Sequence, residues 1–310
     1  MQIVICEFMD GAAVESLATR FAVTYDPSLG ARRDALHLAL VGANGLIVRN
    51  RTRVDAELLA NAPRLSVVGR LGVGLDNIAV DLCAARGIVV LPALGANALA
   101  VAEYVVCTAM LLLRSAYWAT EEIAAGEWPR DRLGNGREVR GKTLGLVGFG
   151  AIGRVTGKLA RAVGMQVIAF DPQIPESASV WHEEAVIPRG LDDVMANADV
   201  VSLHVPLTQG TRNLVNAECL AKMKQDAVII NTARGGVVDE AAVASALKEG
   251  RLAGAALDVF ADEPLPAGSP LAGCPNLILT PHIAGVTRES NVRVSMVIAD
   301  KVAAHLSARA

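Results

Sequence analysis

GKTLGLVGFGAIGRVTGKLARAVGMQVIAFD, residues 141–171, decides the fold, because it holds in order a strand, a glycine turn, an amphipathic helix, a second strand and a closing carboxylate. Residues 143–147 form a short apolar run with no helical period and lead straight into Gly148-Phe149-Gly150-Ala151-Ile152-Gly153, the spacing G-x-G-x-x-G. Each glycine has a steric reason. Gly148 permits the tight turn, Gly150 lets backbone N–H groups approach a pyrophosphate, and Gly153 lets the new helix pack closely on the sheet. The helix N-terminus then faces the anion. Ile152, Val155, Leu159 and Val163 fall on one stripe, and Gly164 sits where a helix-ending glycine belongs. Asp171 closes the second strand 18 positions after Gly153 (171 minus 153), near the spacing of about 20 for a ribose-binding carboxylate. Such a carboxylate accepts the 2′-hydroxyl of NAD and repels the 2′-phosphate of NADP. Pro172-Gln173 offers no arginine to compensate, so NAD is the expected cofactor.

With 310 residues and 52% hydrophobic content, the chain is long enough for two domains and rich enough for buried cores. A net charge of −3 with both signs scattered gives no face for a polyanion, so nucleic acid is not an expected partner. Cys6, Cys83, Cys107, Cys219 and Cys274 are odd in number, far apart and without C-x-x-C spacing. That argues against a disulfide frame or a zinc site, so no metal is expected, and it suits a reducing cytoplasm. MQIVICEFMD lacks a basic leader region and reads as a first strand. The longest apolar stretch, residues 99–113, carries Glu103 and falls short of the ~20 residues that a membrane span needs.

Either side of the opening motif the chain alternates strand and helix. Strands are expected at 3–5, 21–25, 46–48, 65–68 and 88–91, and later at 200–203, 227–230, 253–257 and 277–280. With the two strands of the motif, the second group makes a parallel sheet of six. Asp10, Asp55 and Asp239 are placed to cap helices, and Val238 with Val243 to staple one. A long helix over residues 97–114 is apolar nearly all round and must be buried on several sides. Residues 117–140 follow with no assignable structure, and a last helix runs over about 287–306. Glycines at 69, 72 and 74 loosen a loop that can offer N–H groups to a carboxylate.

Three ionisable residues lie just past strand ends: Arg234 in NTARGG, Glu263 in DVFADEP and His282 in TPHIAG. In open α/β sheets the carboxyl edge is where ligands bind, so residues distant in sequence can converge there. Singly, each has an ordinary structural explanation. Together, beside a dinucleotide motif, they point to chemistry.

GRLGVGLDNI, GKTLGLVGFGAIGR, HVPLT, NTARGGVVDE, AALDVFADEP and TPHIAGVTRE resemble, in order and spacing, the motifs of the D-isomer-specific 2-hydroxyacid dehydrogenase family, in its phosphoglycerate dehydrogenase-like branch. The resemblance covers nearly the whole chain. It implies two doubly wound α/β domains: a Rossmann NAD-binding domain, residues 97–283, inserted in a flavodoxin-like substrate domain, residues 1–96 plus 284–310. It further implies a homodimer built on the long helix. Arg234 would bind the substrate carboxylate through its planar fork. His282 would exchange the proton of the substrate oxygen, and Glu263 would hold the other ring nitrogen. The implied cofactor contacts are Gly148, Gly150, Ala151, Ile152, Gly153, Asp171, His204, Pro206, Thr211, Thr232, Ala233, Arg234, Asp258, His282 and Gly285, with His204 as a pocket wall rather than an acid. On the substrate side the resemblance places the amides of Val73 and Gly74, with Asn97 near them, and it puts Arg49 at the position that takes a distal anion.

A basic pocket formed by Arg49, Arg51 and Arg53 suits phosphoglycerate, sulfolactate or malate-like acids; glyoxylate or hydroxypyruvate would not require one. Three other readings compete, of which a flavin or methyl-donor site on the glycine turn ranks last because it leaves the three strand-end residues idle. An NAD-sensing corepressor can be built on this scaffold without catalysis. A formate dehydrogenase resembles a Gln-His pair, where Glu263 here argues for an alcohol.

Overall fold

A computed structural model of the chain describes residues 1–309. It divides into two compact units, Met1–Asn97 together with the chain from Val286 onward, and Ala98–Gly285.

The first unit is built on five parallel strands: β1 (Gln2–Ile5), β2 (Ala22–Tyr25), β3 (Gly45–Val48), β4 (Val67–Arg70) and β5 (Val89–Pro92). Their order is β2-β1-β3-β4-β5, the flavodoxin-like winding, whose switch point lies between β1 and β3. Strand β4 begins two residues later than the apolar run suggests, because Leu65 closes a turn onto the Ala62 carbonyl before the ladder starts. Helix 288–307 (Arg288–Ser307) is capped by Thr287, whose hydroxyl accepts the Ser290 N–H. It lays Val294, Ile298, Val302 and Leu306 on one face of this sheet, against Ile3, Ile5, Ile47 and Val67. Gly69 makes the approach possible, since a Cβ there would lie 2.7 Å from an Ile298 methyl and 2.8 Å from a Val302 methyl. Arg293 and Lys301 tie the same helix to the carbonyls of Ala96 and Pro92.

The second unit carries β6 (Thr143–Val147), β7 (Gln166–Phe170), β8 (Ile187–Pro188), β9 (Val200–Leu203), β10 (Val228–Asn231), β11 (Gly254–Leu257) and β12 (Leu277–Leu279). All pairings are parallel, in the order β12-β11-β10-β9-β6-β7-β8. This is the Rossmann winding, reversing between β6 and β9. Seven strands stand where six were expected. The seventh, β8, is two residues long, ends in a proline and sits at the sheet edge, where a missing N–H does no harm.

Two helices cover one face of this sheet. Helix 98–114 (Ala98–Arg114) buries Val101, Val105, Ala109 and Leu112, yet leaves Leu99 and Met110 exposed. Helix 151–162 (Ala151–Ala162) packs beside it. Its most buried face is the small one, Gly153, Thr156, Gly157 and Ala160, while the large residues of the predicted stripe, Ile152, Val155 and Leu159, are only half-buried. Close approach to the sheet excludes bulk, so the large side chains flank the contact. Between these two in sequence the chain forms two short helices, Thr120–Ala124 and Arg130–Leu133, pinned back by the Trp118 indole donating to Asn276 at 2.9 Å. Phe149, within the glycine turn, stacks on Trp181 with centroids 4.9 Å apart. Among the described residues no helix is long and apolar enough to cross a membrane.

Because Ile298 is fully buried in the contact between helix 288–307 and the first sheet, Ile298→Ala should lower the unfolding free energy by about 2–5 kcal/mol. Urea denaturation followed by circular dichroism measures it, with an unchanged m-value expected.

Candidate active site

The glycine turn after β6 has the geometry that its spacing predicts. Gly148 has φ 96°, and a Cβ there would lie 2.6 Å from the His204 carbonyl. Gly153 sits against the Gly148 carbonyl, 2.4 Å from where its Cβ would be. Gly150 instead faces open space and caps its helix with no side chain. The first-turn N–H groups of Ala151 and Ile152 have no intrahelical partner, so an anion-binding helix start stands beside a position that bulk does not block. Asp171, at the end of β7, accepts the Phe149 N–H at 2.8 Å and the Gln173 N–H at 2.9 Å, one on each oxygen. Each oxygen keeps a lone pair for a ribose hydroxyl.

Past β9, His204 Nε2 lies 3.0 Å from the Ser202 hydroxyl, and burial pushes the ring down to about 4, so it is neutral at pH 7. Thr211 closes the same loop, its hydroxyl donating to the Pro206 carbonyl at 2.6 Å. Past β10, the Thr232 hydroxyl is buried with no hydrogen-bond partner in the protein, an orphan that a ligand would satisfy. The glycine cradle, the free helix start, the strand-end carboxylate and this orphan hydroxyl together fit NAD.

The residues just past β10, β11 and β12 are joined by contacts. Asn231, buried at the end of β10, accepts the Ala233 N–H at 3.0 Å and donates to the Arg234 carbonyl at 3.1 Å, which shapes the turn carrying Arg234. Gly235 then presses on the loop after β11: a Cβ there would lie 1.7 Å from the Phe260 carbonyl oxygen. The Phe260 N–H donates to Glu263 Oε1 at 3.1 Å, and Glu263 Oε2 is 2.8 Å from His282 Nδ1. With Nδ1 engaged by a carboxylate, Nε2 is the ring nitrogen left for exchange with a substrate. Asp258 faces inward and holds the backbone after His282, its oxygens accepting the Ile283 and Ala284 N–H groups, both at 2.8 Å.

In the first unit Glu7 is only 5% exposed. Its carboxylate accepts the N–H groups of Arg49 at 2.8 Å, Thr52 at 3.0 Å and Arg51 at 3.1 Å. The loop that carries Arg49 is therefore fixed by a buried acid. The Arg49 guanidinium donates to Asn291 at 2.8 Å, and burial pulls its pKa down from the ordinary value while Glu7 pulls it back up. Arg51 and Arg53 are exposed. In the glycine loop, among the described residues, the Val73 and Gly74 N–H groups have no backbone partner, and Asn97 keeps a buried Oδ1 without one. Sequence reasoning passed over Glu7, Asn291 and the buried Arg70, whose guanidinium fills the space that Gly72 leaves open. An acid placed directly after a first strand was the one available signal for Glu7.

Residues 106–284 match the family described as D-isomer specific 2-hydroxyacid dehydrogenase, NAD binding domain. The chain is 52% identical to the (S)-sulfolactate dehydrogenase of Chromohalobacter salexigens over 99% of both proteins. It is 35% identical to the D-3-phosphoglycerate dehydrogenase of Archaeoglobus fulgidus, matching over 97% of this chain and 56% of that one, so it spans little more than half the length of that relative. Among solved structures, the TT0316 protein of Thermus thermophilus superimposes with a TM-score of 0.90 at 34% identity, covering 99% of this chain and 97% of that one. The chain therefore belongs to the D-isomer specific 2-hydroxyacid dehydrogenase family and is an NAD-dependent dehydrogenase.

Proposed function

We propose that the protein oxidises, or in reverse forms, the C2 alcohol of a 2-hydroxy acid that carries a second anionic group, of the sulfolactate or 3-phosphoglycerate type. The observation that carries the chemistry is the Glu263–His282 contact at 2.8 Å beside the Arg234 turn. Arg234 binds the substrate carboxylate and polarises the adjacent C2 oxygen. His282 holds the transferable proton at Nε2, giving it to the developing alkoxide in reduction and taking it in oxidation. Glu263 accepts from Nδ1 and fixes the ring. Bound NAD supplies the hydride acceptor or, when reduced, the donor. Gly148, Gly150, Ala151, Ile152 and Gly153 hold its pyrophosphate and Asp171 its ribose. His204, Pro206, Thr211, Thr232, Ala233, Asp258 and Gly285 line its remaining surface.

The second anion is assigned to Arg49, because Glu7 fixes its main chain and Asn291 accepts from its guanidinium. Val73, Gly74 and Asn97 supply the further polar contacts of the substrate unit. The similarity to a sulfolactate dehydrogenase supports a sulfonate as the second group. We further propose a cytoplasmic homodimer. Leu99 and Met110 on the long helix, with Trp118 and Trp128 just after it, are exposed apolar surface that a second copy would cover, and among the described residues the cysteines are free.

Three measurements test these assignments. A panel of 2-keto acids read by NADH absorbance should favour sulfopyruvate, phosphohydroxypyruvate or oxaloacetate over hydroxypyruvate, glyoxylate and pyruvate, and Arg49→Ala should narrow that gap by roughly ten- to a hundredfold. Monoanionic acids performing equally well would show that no second-anion site exists. Fluorescence titration should give tighter binding of NADH than of NADPH, with Asp171→Ala eroding the difference; equal affinities in the unmodified enzyme would sink the ribose assignment. Sedimentation equilibrium should give twice the mass of one chain, falling to the mass of one chain in Met110→Glu combined with Trp128→Ala.

A further inference from the structure

His282 adopts φ 56°, the left-handed region, which is uncommon for a residue with a side chain and is held here by its surroundings. What imposes it is largely one side chain. Asp258, 1% exposed at the end of the strand before Glu263, accepts the Ile283 N–H on Oδ1 and the Ala284 N–H on Oδ2, while its main-chain carbonyl accepts the His282 N–H at 2.8 Å. The left-handed residue and the two that follow it are thus tied to the same aspartate.

The orientation of that carboxylate is itself controlled. Thr280 Oγ1 donates to Asp258 Oδ1 at 2.6 Å. A threonine hydroxyl has a single proton, and it is used here. The 2.6 Å contact between Thr280 Oγ1 and the Tyr104 hydroxyl must then run from tyrosine to threonine. Burial pushes the Tyr104 hydroxyl above its ordinary pKa, which keeps it protonated and able to donate. Oδ1 now has two donors and Oδ2 one, so a single acceptor position remains on Oδ2.

We propose that Tyr104 and Thr280 are positioning residues for the reaction: the one-way chain from Tyr104 to Thr280 to Asp258 sets the carboxylate that holds the His282 turn and so aims its imidazole. The proposal rests on the reading of His282 as the acid-base group. It also makes helix 98–114, which carries Tyr104, a mechanical support of the catalytic loop and not only a buried core element.

Steady-state kinetics on the full-length enzyme, with NADH affinity measured separately by fluorescence, test it. Thr280→Val keeps the shape and removes the donor; it should lower kcat about ten- to a hundredfold, as expected for a misplaced catalytic group, with KM and NADH affinity changed by less than about threefold. Thr280→Ser restores the hydroxyl and should recover kcat to within about threefold of the unmodified enzyme. Tyr104→Phe, the gentler change, should lower kcat severalfold with NADH affinity unchanged, and it decides the matter if Thr280→Val does not fold. Unaltered kcat in Tyr104→Phe and Thr280→Val, or a serine variant no better than the valine one, overturns the proposal. His282→Ala, run in parallel, separates the two readings. If it retains turnover the acid-base assignment fails, and if it is inactive while Tyr104→Phe and Thr280→Val are normal, only the positioning role fails.

Discussion

Every strand of the seven-stranded sheet runs in the same direction, and that constraint decides where the chemistry can be. A parallel sheet must return the chain through a crossover after each strand, so all the carboxyl ends open on one edge. The glycine turn, Asp171, His204, the Arg234 turn, Asp258 and the His282 loop follow six different strands and meet that edge for topological reasons. Gly235 then sets the spacing between two of these loops, because no larger residue leaves room for the Phe260 carbonyl.

The two units solve one local problem in the same way. Each holds a cationic or titratable side chain on a loop, and each freezes that loop with a buried acid that accepts backbone N–H groups. Glu7 does so for the loop of Arg49, and Asp258 for the loop of His282. A buried carboxylate is costly unless its lone pairs are satisfied. The same condition that makes burial tolerable therefore makes the loop rigid, since any rearrangement would leave the charge without donors. Precise placement of a side chain is a by-product of satisfying an anion.

The glycine motif could be read directly from the sequence because Gly148 and Gly153 answer steric demands that no other residue meets, while Gly150 leaves open space beside the helix start. The caps at Asp10, Asp55 and Asp239 could be read because their partners lie two or three residues away. The order of strands brought Glu263 and His282 to one edge, and the family resemblance implied their pairing. What stayed hidden depended on distance along the chain or on size. Glu7 meets Arg49 across 42 residues and Tyr104 meets Thr280 across 176, and neither separation has a periodic signature. Strand β8 is too short to produce a pattern. The tight face of helix 151–162 is made of small residues that hydrophobic periodicity weights least, so the stripe of Ile152, Val155 and Leu159 marked the flank and not the contact.

The stack of Phe149 on Trp181 places an indole against the glycine turn. Of the three tryptophans, Trp118 and Trp128 are exposed, the latter 76%, whereas Trp181 is 4% exposed. Its emission belongs to a dry, apolar surrounding and separates to the blue of the other two. Reduced nicotinamide absorbs where tryptophan emits, so the protein carries its own optical reporter: energy transfer from its tryptophans to bound reduced cofactor quenches their emission and reports occupancy of the dinucleotide site without an added label and before any turnover begins.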